Sequence, residues 1–183
     1  MSASPFSWAT KILGGGALLL TLLLAVGWLL PTEWKAEASA VMPVAPEAIF
    51  RFLDSPEGWR EWTPWPESGV ERSGPQRGEG ARLSWNDLEL GTGSFTLTTV
   101  REPERVEYRV EVSGGAMRTD GVIALTAEAG GVRVSWRESG DLGNNPLMGY
   151  WGLSMERAQG EELAKGLERL ATVAGDGAGL APR

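Results

Sequence analysis

Three hydrophobic patterns succeed one another along the chain: an unbroken apolar run, a series of alternating segments, and a helical stripe. The run, residues 12–30, carries no charge. As a helix at about 1.5 Å per residue it would span about 28 Å, close to the roughly 30 Å hydrocarbon core of a bilayer. The first alternating segment sets Lys35, Glu37 and Ser39 against Ala36, Ala38, Ala40 and Met42. Further alternation follows through Ala81, Leu83 and Trp85, then Phe95 and Leu97, then Val106, Tyr108, Val110 and Val112, then Val132, Val134 and Trp136. Period-two segments with short connections predict an antiparallel sheet with one buried and one wet face. Between the first strand and the rest, Pro46 opens a short amphipathic helix carrying Ile49, Phe50 and Leu53, and a Trp- and Pro-rich connection covers 59–66. The stripe closes the chain: after the Asn145-Pro146 start, Met148, Trp151, Met155, Gln159, Leu163, Leu167 and Leu170 recur at helical spacing. Gly149, Gly152, Gly160 and Gly166 weaken this helix, so a bend is expected in its front part. The order predicts an α+β fold, a curved antiparallel sheet wrapped around a long C-terminal helix.

These patterns divide the chain into a segment of residues 1–33 with a transmembrane helix at about 12–30, a domain of residues 34–173, and a Gly-rich disordered tail of residues 174–183. Trp8, Trp28 and Trp34 bracket the apolar run as interfacial aromatics do, and Lys11 on its N-terminal flank favours a cytoplasmic N-terminus with an exported body. The competing reading is a cleaved signal peptide. The glycines at 14–16 shorten the strongly apolar part, and Ala38-Ser39-Ala40 resembles a cleavage site. Cutting there would remove most of the first strand, so an uncleaved single-pass anchor is the expectation, with a bacterial inner membrane as its setting.

Composition narrows the chemistry. The 183 residues include no histidine and no cysteine, which excludes imidazole bases, thiolate nucleophiles, disulfides and His- or Cys-ligated metals. The net charge of −7 argues against nucleic acid as a partner. Gly78-x-Gly80 and Gly91-x-Gly93 lack the lysine and following helix of a phosphate loop and read as turns. The carboxylates Glu102, Glu104, Glu107, Asp141, Glu161 and Glu162 form no metal box, so neither metal nor cofactor is expected. Arg109, Arg118, Asp120 and Glu89 sit on otherwise apolar strands; an inward Arg–Asp pair would bind a carboxylate or polarise a carbonyl, and an outward one is simply the wet face.

The body resembles the START-like, or SRPBCC, superfamily in its bacterial polyketide cyclase/dehydrase-like branch. The matching pieces are Ala45-Pro46-Glu47-Ala48-Ile49-Phe50, Trp62-Thr63-Pro64-Trp65, Gly78-Glu79-Gly80-Ala81-Arg82-Leu83-Ser84-Trp85, Pro103-Glu104-Arg105-Val106-Glu107-Tyr108 and Gly131-Val132-Arg133-Val134-Ser135-Trp136. The resemblance covers about residues 34–173. It implies a helix-grip fold with a cavity between the sheet and the long helix, occupied in such proteins by lipids, sterols, polyketides or other apolar molecules. Members include carriers, cyclases, hormone receptors and activators of heat-shock ATPases, so fold leaves function open.

Within that frame the expected ligand-binding set is Phe50, Trp62, Trp65, Trp85, Phe95, Tyr108, Trp136, Met148, Trp151 and Met155, with Trp62 and Trp151 as the preferred lining residues. The same aromatics would equally serve as core filling. No residue is assigned a catalytic role. The leading expectation is a membrane-tethered, non-enzymatic domain that binds a hydrophobic small molecule or lipid. A polyketide cyclase or dehydratase using Tyr108, an arginine or a carboxylate is the alternative, as is a cell-envelope interaction module using exposed tryptophans near Trp62 and Trp65.

Overall fold

The computed structural model describes residues 5–66, 68–88, 91–143 and 145–179. A helix, α1 (Pro5–Leu29), leads directly into β1 (Glu33–Met42). Two five-residue helices follow, α2 (Pro46–Phe50) and α3 (Pro56–Arg60), each with proline in the tolerated first turn. Ser55 caps α3 by accepting from the Gly58 N–H at 3.2 Å. Six strands then run as a meander: β2 (Val70–Ser73), β3 (Arg82–Asp87), β4 (Gly91–Arg101), β5 (Arg105–Val112), β6 (Met117–Glu128) and β7 (Gly131–Asp141). Helix α4 (Pro146–Gly179) ends the described chain.

The seven strands form one antiparallel sheet in the order β1-β7-β6-β5-β4-β3-β2. The α2–α3 connection thus carries the chain from one edge to the other, and the meander returns it to pair β7 with β1 over ten residues. This is the helix-grip plan expected from the sequence. Strand β6 escapes the alternation pattern because Gly121 occupies one inward position; Ile123 and Leu125 continue the buried series.

The concave face holds the core. Ile49, Phe50 and Leu53 from α2 and the turn after it meet Met42, Val132 and Val134 from the sheet, and Leu163, Leu167 and Leu170 close the layer from α4. Burying those three leucines contributes about 5–9 kcal/mol, against about 0.5–1 kcal/mol lost at each glycine in the same helix. The leucines win, and α4 runs as one helix through Gly149 and Gly152. It also continues past Val173, the boundary expected from composition: Ala174 is wholly buried and the helix reaches Gly179. Residues 180–183 of the expected tail lie outside the described residues.

Those front glycines accept another backbone. A side chain at Gly149 would strike the Gly27 carbonyl and Leu30, and one at Gly27 would strike the Pro146 carbonyl and Tyr150. The end of α1 therefore crosses the start of α4 at backbone distance, and the Tyr150 hydroxyl donates to the Leu23 carbonyl at 2.6 Å. Over the rest of Thr10–Leu29, a stretch long and apolar enough to cross a membrane, almost every residue is exposed.

Candidate functional site

Three tryptophans spaced by three residues, Trp59, Trp62 and Trp65, run along α3 and the loop after it and face the sheet. Trp59 is buried, and its indole N–H donates to the Leu53 carbonyl at 2.7 Å. Its ring lies 4.6 Å from Tyr108, 4.9 Å from Phe95 and 4.9 Å from Trp62, making it the hub of the aromatic cluster. Trp62 packs edge-on against Trp136 at 5.2 Å and donates its N–H to the Phe52 carbonyl. Together Trp59 and Trp62 fill the middle of the concave face. Beyond them the packing opens. Trp65 is only partly buried, tied to the Thr63 hydroxyl at 2.6 Å, with its ring edge-on to Phe95 at 5.3 Å and to Trp85 at 6.2 Å. The result is an open, mainly apolar cleft of about 390 Å³. The loop at 63–66 forms one wall; Trp85, Phe95, Tyr108, Val110, Val112, Trp136 and Glu138 form the other.

Glycines on neighbouring strands let the large rings lie on the sheet. Gly93 is the register partner of Trp85, Gly121 of Tyr108, and Gly140 of Trp34. At each of the three, a Cβ would overlap the ring opposite. Gly166 does the same on α4 for Trp136. With Gly121 bare, Tyr108 reaches across β6 to β7 and donates its hydroxyl to Glu138 Oε1. The Trp136 N–H donates to the same hydroxyl oxygen at 2.8 Å, and the Gln159 amide of α4 donates to Glu138 Oε2 at 2.6 Å.

This small polar group sits in apolar surroundings. Burial lifts the Glu138 carboxyl above the usual carboxylate range, partly opposed by the hydrogen bonds from Tyr108 and Gln159. Burial, reinforced by the neighbouring Glu138 charge, raises the Tyr108 hydroxyl well above its ordinary value, so Tyr108 holds its proton and serves as a donor. One further polar atom is unmatched: the Trp85 indole N–H is buried without a hydrogen-bond partner. Among the described residues no group of three carboxylates gathers for a cation.

Of the ten aromatic and Met positions expected to line a site, the structure gathers Trp65, Trp85, Phe95, Tyr108 and Trp136 on the cleft. Phe50 and Trp62 are core, each about 2% exposed, and neither lines this cleft, so Trp62 is not an exposed docking surface. Met148 and Met155 pack at the core margin. Trp151 is 53% exposed and off the cleft. Its phase explains this: twelve residues before Leu163 at 3.6 per turn is about a third of a turn off the buried face, where Gly152 sits instead. Arg109, Arg118 and Asp120 pair with one another on the partly exposed side, Arg109 to Asp120 at 2.7 Å and Arg118 to Asp120 at 3.0 Å. That is the wet face, not an inward pair. Glu89 lies outside the described residues. Seven lining residues were outside the expected set, Trp59 and Glu138 being the two that organise the site. Trp59 shared the three-residue spacing with Trp62 and Trp65, and Glu138 continues the inward phase of Val132, Val134 and Trp136 one step further.

Comparison with known proteins agrees with this architecture. The family model described as polyketide cyclase/dehydrase and lipid transport matches residues 33–175. Among solved structures, a protein of Rhizobium leguminosarum is similar at 18% identity and a TM-score of 0.56, covering 79% of this chain and 95% of its own. TTHA0849 from Thermus thermophilus is similar at 17% identity and a TM-score of 0.58, covering 78% and 97%. Ara h 8.0201 is similar at 16% identity and 0.53, covering 79% and 99%. These likenesses concern the fold. No curated protein matches the chain.

Proposed function

The chain belongs to the polyketide cyclase/dehydrase and lipid transport family, and from that premise we propose a membrane-anchored, non-catalytic module that binds a hydrophobic small molecule or lipid. The observation that carries this reading is the cleft: about 390 Å³, open, and walled by indole and phenyl rings. Its size falls in the range of small-molecule sites, and its wall offers apolar contact with few fixed polar groups. The surrounding rings are held by their own hydrogen bonds and by bare glycines, so little ordering cost remains at binding.

The anchor reading draws on α1 and its attachment. A cleavage after Ala40 would strip β1 of most of the residues that pair with β7, and would release the Gly27–Gly149 crossing. Lys11 on the N-terminal flank of α1 supports reading the body as exported. One observation favours an enzyme as second reading, the Glu138 carboxyl with its raised proton affinity beside the cleft, a setting that suits general acid–base work.

The test is extraction of the full chain from its native membrane, followed by mass spectrometry of the intact protein and of bound small molecules. Val110→Trp, which fills the cleft, serves as the comparison. The expected result is an uncleaved chain with an apolar compound that Val110→Trp lacks. A mature N-terminus near Val41 would refute the anchor, and identical empty preparations would refute the ligand site. Turnover that Glu138→Gln abolishes would establish the enzyme instead.

A further inference from the structure

The way this chain treats its carboxylates is uneven. On the surface, Glu37, Asp120 and Glu128 each meet an arginine. Such exposed pairs do little for stability. Among the described residues, Glu138 is the one carboxylate buried beside the cleft, and its hydrogen-bond partners are neutral donors, the Tyr108 hydroxyl and the Gln159 amide. A carboxylate offers about four lone-pair sites, so roughly half its accepting capacity is unused. A buried ionised group without a cation is costly unless something supplies one.

The rest of the cleft matches that unmet charge in chemistry. Among the described residues that line it, Glu138 is the only charged one, and no lysine or arginine is present to receive an anion. The remaining wall is rich in π faces, Trp59, Trp65, Trp85 and Phe95 among them, whose quadrupoles favour positive charge over negative. An anionic amphiphile such as a fatty acid would bring its carboxylate toward Glu138 with no cationic side chain among the described lining residues to offset the repulsion. A cation would complete the hydrogen bonding and charge of Glu138 while its body displaces water from the indoles.

We infer that the cleft selects an apolar cation, an amine on a hydrocarbon body, with its ammonium group at Glu138 and its body against Trp65 and Trp85. This rests on reading the cleft as a ligand site and specifies the charge of what enters it.

Three probes of one shape separate the two claims: 1-naphthylmethylamine, 1-naphthalenemethanol and 1-naphthoate. Each is titrated calorimetrically at neutral pH into the full chain in nanodiscs of zwitterionic lipid, with empty nanodiscs as the blank. The amine should bind at least about tenfold tighter than the naphthoate, with the alcohol between them. Glu138→Gln should bring the amine close to the alcohol and leave the alcohol unchanged. Tyr108→Phe, which keeps the carboxylate and frees a lone pair on it, should preserve the preference. Equal binding of all three probes to the unaltered chain overturns this inference and leaves the hydrophobic-ligand reading standing. Binding of none, the neutral alcohol included, overturns that reading and this one with it. The comparison on the unaltered chain decides even if Glu138→Gln fails to fold.

Discussion

Replacing Trp59 by alanine tests the arrangement at its most heavily used point. The indole is 3% exposed and has four aromatic rings within 4.6–6.1 Å, those of Tyr108, Phe95, Trp62 and Trp136. An indole buries about 150–250 Å², which at about 25 cal/mol per Å² is worth roughly 4–6 kcal/mol. Removing it also leaves the Leu53 carbonyl without its 2.7 Å donor, at a cost of about 1–3 kcal/mol if water cannot reach it. Two effects work the other way. The vacated space adjoins an open cleft, so water can enter and the cavity penalty shrinks, and the extended-chain reference overstates the area lost. The expected net loss is about 3–5 kcal/mol, a large share of the roughly 5–15 kcal/mol that holds such a domain folded. For a domain of this size that lowers Tm by about 10–20 °C. Thermal denaturation of the full chain in nanodiscs, followed by near-UV circular dichroism, reads both the shift and the loss of the aromatic signal. The same variant should gain affinity for probes too bulky for the original cleft. A loss below about 1 kcal/mol, with the near-UV spectrum unchanged, would show that Trp59 does not fill the concave face.

Three further outcomes follow from particular contacts. Burial holds the Glu138 carboxyl above its unfolded value near 4.5, so the folded chain binds that proton more tightly. Its contribution is then full below the unfolded value and is lost as pH rises through the folded one, so Glu138→Gln should gain on the unaltered chain as pH rises through that window; a Tm difference flat with pH would refute it. Gly121→Ala puts a methyl into the Tyr108 ring and should cost about 1–3 kcal/mol by denaturation while breaking the Tyr108–Glu138 contact. Gly160→Ala, in α4 with nothing within 4 Å of the added Cβ, should instead stabilise by about 0.5–1 kcal/mol; a loss there would mean the site is not open.

How far the sequence carried depended on the kind of signal. Strand β5 and the first half of β7 announce themselves because every second residue is Val, Tyr or Trp, and a two-residue period survives any tertiary context that buries one face. Strand β6 breaks that signal at Gly121, where the missing side chain is required by a ring on the neighbouring strand, and no local rule sees across strands. Glu138 was overlooked for a related reason. A glutamate at an inward phase reads as the end of a buried strand, whereas here Tyr108 and Gln159, remote in sequence, supply the donors that make its burial tolerable. Trp59 lay in plain view, but spacing alone does not say which of three tryptophans becomes the hub.

The position of Trp151, Met148 and Met155 off the cleft has a more general cause. A helix-grip cavity is expected beneath the whole long helix, and that expectation assigns the apolar residues of α4 to it. In this chain α4 divides its work. From Leu163 to Ala174 it closes the core, and over Gly149 and Gly152 its buried face is given to the backbone of α1 and of the turn that follows it. Trp59 and Trp62, entering from the α3 side, fill the space between. The opening is thereby displaced toward β3–β5 and the 63–66 loop, away from the front of α4. Small residues at 149 and 152 thus serve a helix–helix crossing rather than a roomy cavity, and the bulk of the indoles decides where a ligand can enter. Attachment to α1 and access to the cleft use different parts of the fold, which is why substitutions at Gly149 and at Val110 can be read independently.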